Sequence, residues 1–142
     1  TVMAHTDAVR RVLFGTAATV VSIGDDGHLK VWDARQFSAE GAEAVYDYVL
    51  AAKPTALLLD APSNTAFVGT AAGTVELWDT TGICAAPCCA LPARSAAATP
   101  RTAAITALCA CENASTATRT TVTGDEGGAI AVFKSSLGTL SS

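Results

Sequence analysis

Short runs in which apolar and polar residues alternate recur along the whole chain, and turn-forming residues bound each run. A period of two is the spacing of a β-strand with one buried face, and Gly, Pro, Asn, Asp and Ser favour the turns between strands. The pattern therefore predicts an all-β protein. Strands are predicted at residues 9–14, 20–23, 28–32, 45–50, 55–59, 65–69, 74–78, 88–91, 104–111, 120–123 and 129–133.

One predicted strand has a helical alternative. Residues 42–52 contain Ala and Glu, which are helix formers, whereas Val45, Tyr46, Tyr48 and Val49 favour a strand. We predict the strand, because the β-forming residues are concentrated in the middle of the segment.

A longer pattern, a polar turn followed by a strand that ends in a large aromatic residue, occurs three times. The copies are GDDGHLKVWDAR at residues 24–35, TAAGTVELWD at 70–79 and DEGGAIAVFK at 125–134. In each copy a Gly lies five residues before the aromatic residue, and the copies are 46 and then 55 residues apart on either marker. Two markers that move together indicate a protein of three repeats. The markers are Gly27 with Trp32, Gly73 with Trp78, and Gly128 with Phe133.

The repeated unit resembles the WD-repeat family, in which each unit is one four-stranded blade of a β-propeller. The first spacing fits the family period of about 40 to 45 residues, and a proline-punctuated insertion at residues 82–102 accounts for the longer second spacing. The resemblance implies three four-stranded antiparallel blades that form part of a ring. The predicted propeller part covers residues 1–142, with blade units at about residues 5–50, 54–102 and 103–142.

The resemblance also implies a structural tetrad in each blade, formed by a His before the first strand, a Ser or Thr in the second, an Asp in the next turn and a Trp in the third. A buried indole N–H and a buried carboxylate both need partners, and an imidazole can donate and accept at once. In the first unit His5, Asp26 and Trp32 match this pattern. Gly24 occupies the position of the hydroxyl, and Ser22 lies two residues away.

The match to the tetrad weakens along the chain. In the second unit Thr70 and Trp78 match, but Ala72 replaces the Asp and Pro54 lies where the His is expected. In the third unit Phe133 replaces the Trp, and its ring has no N–H to satisfy. We therefore expect the later blades to depend increasingly on apolar packing.

Composition and charge narrow the range of partners. The chain has 142 residues, of which 50% are hydrophobic and 15% charged, and this is enough for one domain with a buried core. Its net charge of −4 and its scattered basic residues do not favour nucleic acid or an anionic membrane. No apolar run approaches the roughly 18 residues of a membrane span, and the amino end lacks a signal-peptide pattern. We expect a soluble cytoplasmic protein with no nucleic-acid partner.

Five cysteines in two close groups raise the alternatives of a zinc site or disulfide bonds. Neither the Cys-x-x-x-Cys-Cys nor the Cys-x-Cys spacing matches the paired ligands of a structural zinc site. We expect reduced thiols that act as small buried hydrophobic groups in an intracellular, reducing compartment, with no metal and no other cofactor. The cysteines are Cys84, Cys88, Cys89, Cys109 and Cys111, and the last two fall on one face of a predicted strand.

The polar residues give little support for catalysis. A hydrolase needs a nucleophile, a base and an orienting group that converge, and the chain has two histidines, His5 and His28. The first is assigned to the tetrad and the second to an exposed strand start. The glycines at residues 124–128 lie in a hairpin turn and not before a helix, and Asp25 and Asp26 lack the alternating oxygens of a calcium loop. We predict that the protein is not an enzyme.

The resemblance implies a non-catalytic scaffold for protein–protein interactions, within a larger multidomain protein. The segment Trp32-Asp33-Ala34-Arg35 carries an alternative, because it resembles the ending found in WD-repeat substrate receptors of cullin-RING ubiquitin ligases. In that role Arg35 would offer a planar cation to a carboxylate or carbonyl group of an adaptor. The competing interpretation is that Arg35 pairs with Asp33 or with a neighbouring blade.

Three blades would leave two blade faces open, because propellers typically contain about 4 to 8 blades. A large exposed apolar face marks an interface. We therefore expect further blades, from the same chain or from a second copy, to complete the ring.

Overall fold

The computed structural model describes residues 2–38, 40–60, 62–82, 87, 89–92 and 103–136. Within these residues the chain forms eleven strands and one short 3-10 helix, and the predicted all-β fold is confirmed. None of the helical structure described there is long and apolar enough to cross a membrane. The strands are β1 (Val9–Phe14), β2 (Thr19–Gly24), β3 (His28–Asp33), β4 (Tyr46–Val49), β5 (Pro54–Asp60), β6 (Thr65–Thr70), β7 (Thr74–Asp79), β8 (Cys89–Pro92), β9 (Ile105–Asn113), β10 (Thr118–Asp125) and β11 (Ile130–Ser136); the helix is Ala34–Gln36.

The strands form three antiparallel sheets in chain order. The first sheet has the order β1-β2-β3-β4, the second β5-β6-β7-β8 and the third β9-β10-β11. The first two sheets have the four strands expected of a blade, and the third has three within the described part of the chain. Residues 137–142, which follow β11, and most of the insertion at 82–102 lie outside the described residues.

The segment with the helical alternative is a strand. β4 pairs with β3, so that Tyr48 lies opposite Leu29 and Tyr46 opposite Val31. The two tyrosine rings lie parallel, with centroids 6.2 Å apart, and Tyr48 stacks on Trp78 of the second sheet at 5.0 Å. Contacts with a neighbouring strand and a neighbouring sheet therefore reinforce the local preference of Val and Tyr for extended backbone.

The glycines that mark the repeat close the turns between the second and third strands of each sheet. Gly27, Gly73 and Gly128 have φ angles of 80°, 77° and 83°, in the left-handed region that favours glycine. The N–H of each donates to the carbonyl oxygen of the residue three positions earlier, at 3.1 Å in all three turns. The sequence marker is thus a backbone requirement of the hairpin.

Two clusters of buried side chains hold the three sheets together. The first core cluster lies between the first and second sheets and contains ten buried residues: Val21, Ile23, Leu29, Val31, Tyr48, Leu50, Leu57, Ala66, Val68 and Trp78. The second core cluster lies between the second and third sheets and contains five: Ala56, Phe67, Val75, Leu77 and Ile105. Trp78 therefore faces the sheet that precedes its own.

Candidate interaction site

Four side chains of the first unit form a continuous hydrogen-bonded network. Trp32 Nε1 donates to Ser22 Oγ at 2.9 Å, and Ser22 Oγ lies 2.7 Å from His5 Nε2. The other ring nitrogen, His5 Nδ1, lies 2.9 Å from Asp26 Oδ1. If Nδ1 carries the ring proton, it donates to the carboxylate, and Nε2 accepts from the serine hydroxyl. The network joins β2, β3, their turn and the segment before β1.

The hydroxyl in this network comes from Ser22 and not from position 24, where the resemblance to WD repeats places it. A Cβ atom on Gly24 would lie 2.6 Å from His5 Nδ1 and 2.9 Å from Asp26 Oδ1, so the histidine ring occupies the space that a side chain would need. Residues two apart in a strand share a face, and Ser22 therefore reaches the same ring from the next position on that face.

Asp26 is the charged end of the network. Burial acts to raise the pKa of Asp26, but hydrogen bonds from His5 and from the backbone N–H groups of Thr6 and His28 outweigh it, and the pKa lies below its ordinary value. The two backbone donors lie 3.1 Å and 3.2 Å from the carboxylate oxygens. An ionised Asp26 thus fixes the turn before β3 as well as the histidine.

The order Ser22–His5–Asp26 contains the residue types of a serine-hydrolase triad. A catalytic serine must present its Oγ to a substrate carbonyl, beside donors that stabilise the oxyanion. Ser22 is only 2% exposed, and its Oγ already accepts the Trp32 N–H. In this structure the three residues are therefore packed inside the sheet, and their geometry suits a structural network.

Thr70 and Trp78, the two residues of the second unit that match the tetrad pattern, make separate hydrogen bonds in the described part of the structure. Thr70 Oγ1 lies 2.8 Å from Thr74 Oγ1 within the turn, whereas Trp78 Nε1 donates to Glu76 Oε2 at 3.0 Å. The reason is that Val68 occupies the position that Ser22 has in the first sheet, opposite the strand that carries the Trp. The signal that we missed is a carboxylate two residues before the Trp, on the same face of β7.

In the third unit the turn survives without the network. Asp125 Oδ1 accepts hydrogen bonds from the N–H groups of Gly127 and Ala129, each at 2.9 Å. Phe133 is partly buried and offers no N–H.

Arg35, the residue expected to contact a partner, is held by Asp33. Its Nε lies 2.9 Å from Asp33 Oδ1, and its Nη2 lies 2.7 Å from Asp33 Oδ2. The hydrogen bonds from Arg35 lower the pKa of Asp33, and the carboxylate raises the pKa of Arg35. The Arg35 side chain is nevertheless 76% exposed. The guanidinium is therefore oriented by its own loop and open to solvent.

The same turn recurs in the second unit without an arginine. Asp33 Oδ1 accepts the N–H of Arg35 at 3.0 Å, and Asp79 Oδ1 accepts the N–H of Thr81 at 2.9 Å. The Asp of each Trp-Asp pair thus caps the loop that leaves the third strand. Arg35 is an addition to this turn and is not needed to build it.

A buried ion cluster that the sequence did not predict links the second and third sheets. Arg119 Nη2 lies 2.6 Å from Asp60 Oδ2 and 2.5 Å from Glu112 Oε1. The guanidinium carbon also lies 5.8 Å from the centroid of the Phe67 ring. Arg119 is buried, so its charge depends on these partners.

The expectation of buried thiols is wrong for the two cysteines whose side chains are described. Cys109 and Cys111 are free and exposed. They share a face of β9, as the period of two predicted, but this is the face of the third sheet that points away from the second sheet.

The packing of the sheets defines the class of protein. Antiparallel meanders of up to four strands stack face to face, and Trp78 of the second sheet points towards the preceding sheet, as in the blades of a β-propeller. Comparison with solved structures shows that this is the fold of WD40 β-propellers, as the repeat pattern predicted.

Two of the similar structures show the extent of the resemblance. The WD40 β-propeller domain of Doa1 superimposes with a TM-score of 0.70 at 15% identity, over 94% of this chain and 38% of that one. Sqt1 of Saccharomyces cerevisiae superimposes with a TM-score of 0.67 at 11% identity, over 91% of this chain and 32% of that one. The chain thus spans about a third of the length of these structures. No protein-family model and no curated protein matches the sequence.

Proposed function

We propose that the chain is a non-catalytic scaffold that binds other proteins, as part of a larger multidomain protein. The observation that carries this proposal is the burial of the Ser22–His5–Asp26 network, which fixes the blade from inside. Loop residues such as Thr16, Arg35 and Ala71 are exposed, and exposed loops on a rigid framework are common binding elements. The WD40 fold supports the same role.

A binding experiment with a matched pair of variants tests this function. Proteins captured by the purified chain are produced separately, and their affinities are measured against the wild type, Ser22→Ala and loop variants. We expect at least one loop variant to weaken a partner tenfold or more, whereas Ser22→Ala leaves the affinity unchanged while the protein stays folded. Chemical conversion of a captured molecule that Ser22→Ala abolishes would contradict the proposal.

Arg35 favours a second candidate, a substrate-receptor subunit of a cullin-RING ubiquitin ligase. Asp33 holds two nitrogens of the guanidinium and leaves the rest exposed at the end of β3, where an adaptor carboxylate or carbonyl can approach. An acidic adaptor group would compete with Asp33 for this cation.

Because an adaptor would compete with Asp33, the receptor hypothesis predicts opposite effects for substitutions of Arg35 and of Asp33. Binding to a purified cullin-RING adaptor is measured for the wild type, Arg35→Ala, Asp33→Asn and the control Arg11→Ala, which removes another exposed arginine. The receptor role requires that Arg35→Ala abolish binding, that Asp33→Asn preserve or strengthen it, and that Arg11→Ala leave it unchanged. A wild-type chain that does not bind the adaptor rules this candidate out.

We also propose that the protein works in the cytoplasm, in a reducing environment. The free, exposed thiols of Cys109 and Cys111 support this, because exposed thiols persist where glutathione and thioredoxin keep them reduced. Labelling of both thiols is the expected result when intact cells are lysed directly in a denaturant that contains a maleimide, before any reductant is added. Protection of both from the label would count against this location.

A further inference from the structure

The first and third sheets each have a face that no other described sheet covers. The head face is the Trp32 side of the first sheet, and its exposed apolar residues include Val12, Phe14 and Val49. The tail face is the side of the third sheet that points away from the second sheet; it carries Cys109, Val122, Ile130 and Val132.

Residues of the head face occupy positions that are covered elsewhere in the chain. Val12 lies opposite Ser22, and Leu57 lies opposite Val68. Ser22 and Val68 are one repeat apart, so Val12 and Leu57 hold equivalent positions in the first and second sheets. By the same register Phe14 corresponds to Leu59. Leu57 is buried and Leu59 partly buried against the first sheet, whereas Val12 and Phe14 are 54% and 76% exposed.

The tail face shows the same relation. Val132 has the repeat position of Val31, and Ile130 has that of Leu29. Val31 and Leu29 are buried in the first core cluster, but Val132 and Ile130 are 56% and 75% exposed. The tail face is thus built from core-type residues at core positions.

We propose that the head face of one copy of this chain packs on the tail face of a second copy. The chain already makes this contact twice, because the Trp side of the second sheet packs on the first sheet and the corresponding side of the third packs on the second. The head and tail faces are the two unpaired halves of that same interface. Two copies joined head to tail bring together six sheets, within the typical range of about 4 to 8 blades in a closed ring.

The charged residues of the head face are compatible with this contact. Lys30 Nζ lies 3.3 Å from Asp47 Oδ2, and His28 Nδ1 lies 2.5 Å from Asp47 Oδ1. Covering the face therefore buries charges that already have partners. At the position of Lys30, the second sheet carries Glu76, which is buried against the first sheet with Trp78 as its donor.

The test uses one variant for each face. Phe14→Glu places a charge on the head face and Val132→Glu on the tail face; both residues are exposed in the single chain, so its fold tolerates the change. Sedimentation equilibrium of the wild type is expected to give a two-copy mass that dissociates on dilution. Each variant alone is expected to be monomeric, whereas Ala71→Glu, in an exposed turn, is expected to behave as the wild type.

Mixing the two variants distinguishes a head-to-tail contact from any symmetric one. In an equimolar mixture, the intact head of the Val132→Glu chain meets the intact tail of the Phe14→Glu chain, and a one-to-one dimer forms through a single interface. A wild type that stays monomeric at every accessible concentration overturns the proposal. So does a mixture that remains monomeric, or a dimer that only one of the two substitutions abolishes.

A thiol cross-link gives a second measurement that does not depend on charge. Within the chain, Leu58 of the second sheet and Leu108 of the third pack on the second core cluster. The repeat equivalent of Leu58 is Cys109 on the tail face, and that of Leu108 is Val12 on the head face. Under mild oxidation Val12→Cys is expected to give a covalent dimer, which the added substitution Cys109→Ser removes. The same yield of dimer with and without Cys109 contradicts this placement. The assembly is independent of the partner binding proposed above, and Arg35→Ala leaves it unchanged.

Discussion

A buried indole N–H needs an acceptor, and the three repeats meet this need in different ways. Trp32 donates to the hydroxyl of Ser22, whereas Trp78 donates to the carboxylate of Glu76. Phe133 removes the donor altogether. Replacing the Trp by Phe therefore has a different effect in the first two repeats, because it leaves the Ser22 hydroxyl without its donor in one and the Glu76 carboxylate in the other.

We expect Trp32→Phe to destabilise the protein more than Phe133→Leu. Trp32→Phe removes the donor to Ser22 Oγ and leaves a gap in a buried site, at a cost of about 2 to 3 kcal/mol. Phe133→Leu exchanges apolar groups at a partly buried site and costs about 1 kcal/mol or less. Urea unfolding measures both free energies, and equal losses would contradict the role given to the indole N–H.

Asp26 makes the stability depend on acid pH. Its pKa in the folded protein is lower than in the unfolded chain, where a value of about 3.9 is usual, so its contribution is present above that pH and is lost as pH falls through the folded pKa. Asp26→Asn should therefore cost most near neutral pH and little at the acid end. Urea midpoints measured from neutral to acid pH test this.

Comparing the wild type with Asp26→Asn isolates the contribution of Asp26 to the pH dependence. Asp25, Asp33 and Asp47 also have lowered pKa values, but they titrate in the wild type and in the variant alike. If the midpoints of the two proteins run parallel over the whole pH range, Asp26 does not supply this contribution.

At the scale of the strands, the alternating pattern predicted most elements well. Where a strand extends beyond its predicted bounds, contacts with residues distant in the sequence determine the extension. β1 has the predicted bounds, whereas β10 was predicted at residues 120–123 and runs from Thr118 to Asp125. The early part of β10 is polar and resembles a loop in sequence. Arg119 is extended there because it reaches Asp60 on the second sheet, which no local pattern reveals.

The site was predictable to the extent that its residues follow the repeat. The resemblance to WD repeats named His5, Asp26 and Trp32, and in the structure Ser22 and hydrogen bonds link these three residues. The choice of Ser22 over position 24 depends on the space that the histidine ring takes above Gly24, which is a three-dimensional fact.

The ion cluster around Arg119 should contribute strongly to the contact between the second and third sheets. Arg119→Met leaves Asp60 nearly buried without its cation, and we expect a loss of about 3 to 5 kcal/mol in the free energy of unfolding. Glu112→Gln is the matched control; because Glu112 is more exposed than Asp60, it should cost about 1 kcal/mol or less. Similar losses for the two variants in urea unfolding would contradict a special role for the buried pair.

At the scale of the whole molecule, neighbouring sheets stack in the same way twice, but different side chains form the two contacts. The first and second sheets meet through aromatic and aliphatic side chains, and Lys53, just before β5, also pairs with Asp25 at 3.3 Å. The second and third sheets meet through fewer apolar residues and the buried Arg119 cluster. The stacking of the sheets is regular, but the two contacts between neighbouring sheets differ in composition and in expected strength.

The unequal core clusters set an order of opening. Among the described residues, ten buried ones join the first two sheets and five join the second to the third, so the third sheet should detach in a partial unfolding event of lower free energy. Native-state amide hydrogen exchange is expected to show the N–H groups of β10 exchanging before those of β2 and β6. A single common rate for all three strands would mean that the chain opens as one cooperative unit.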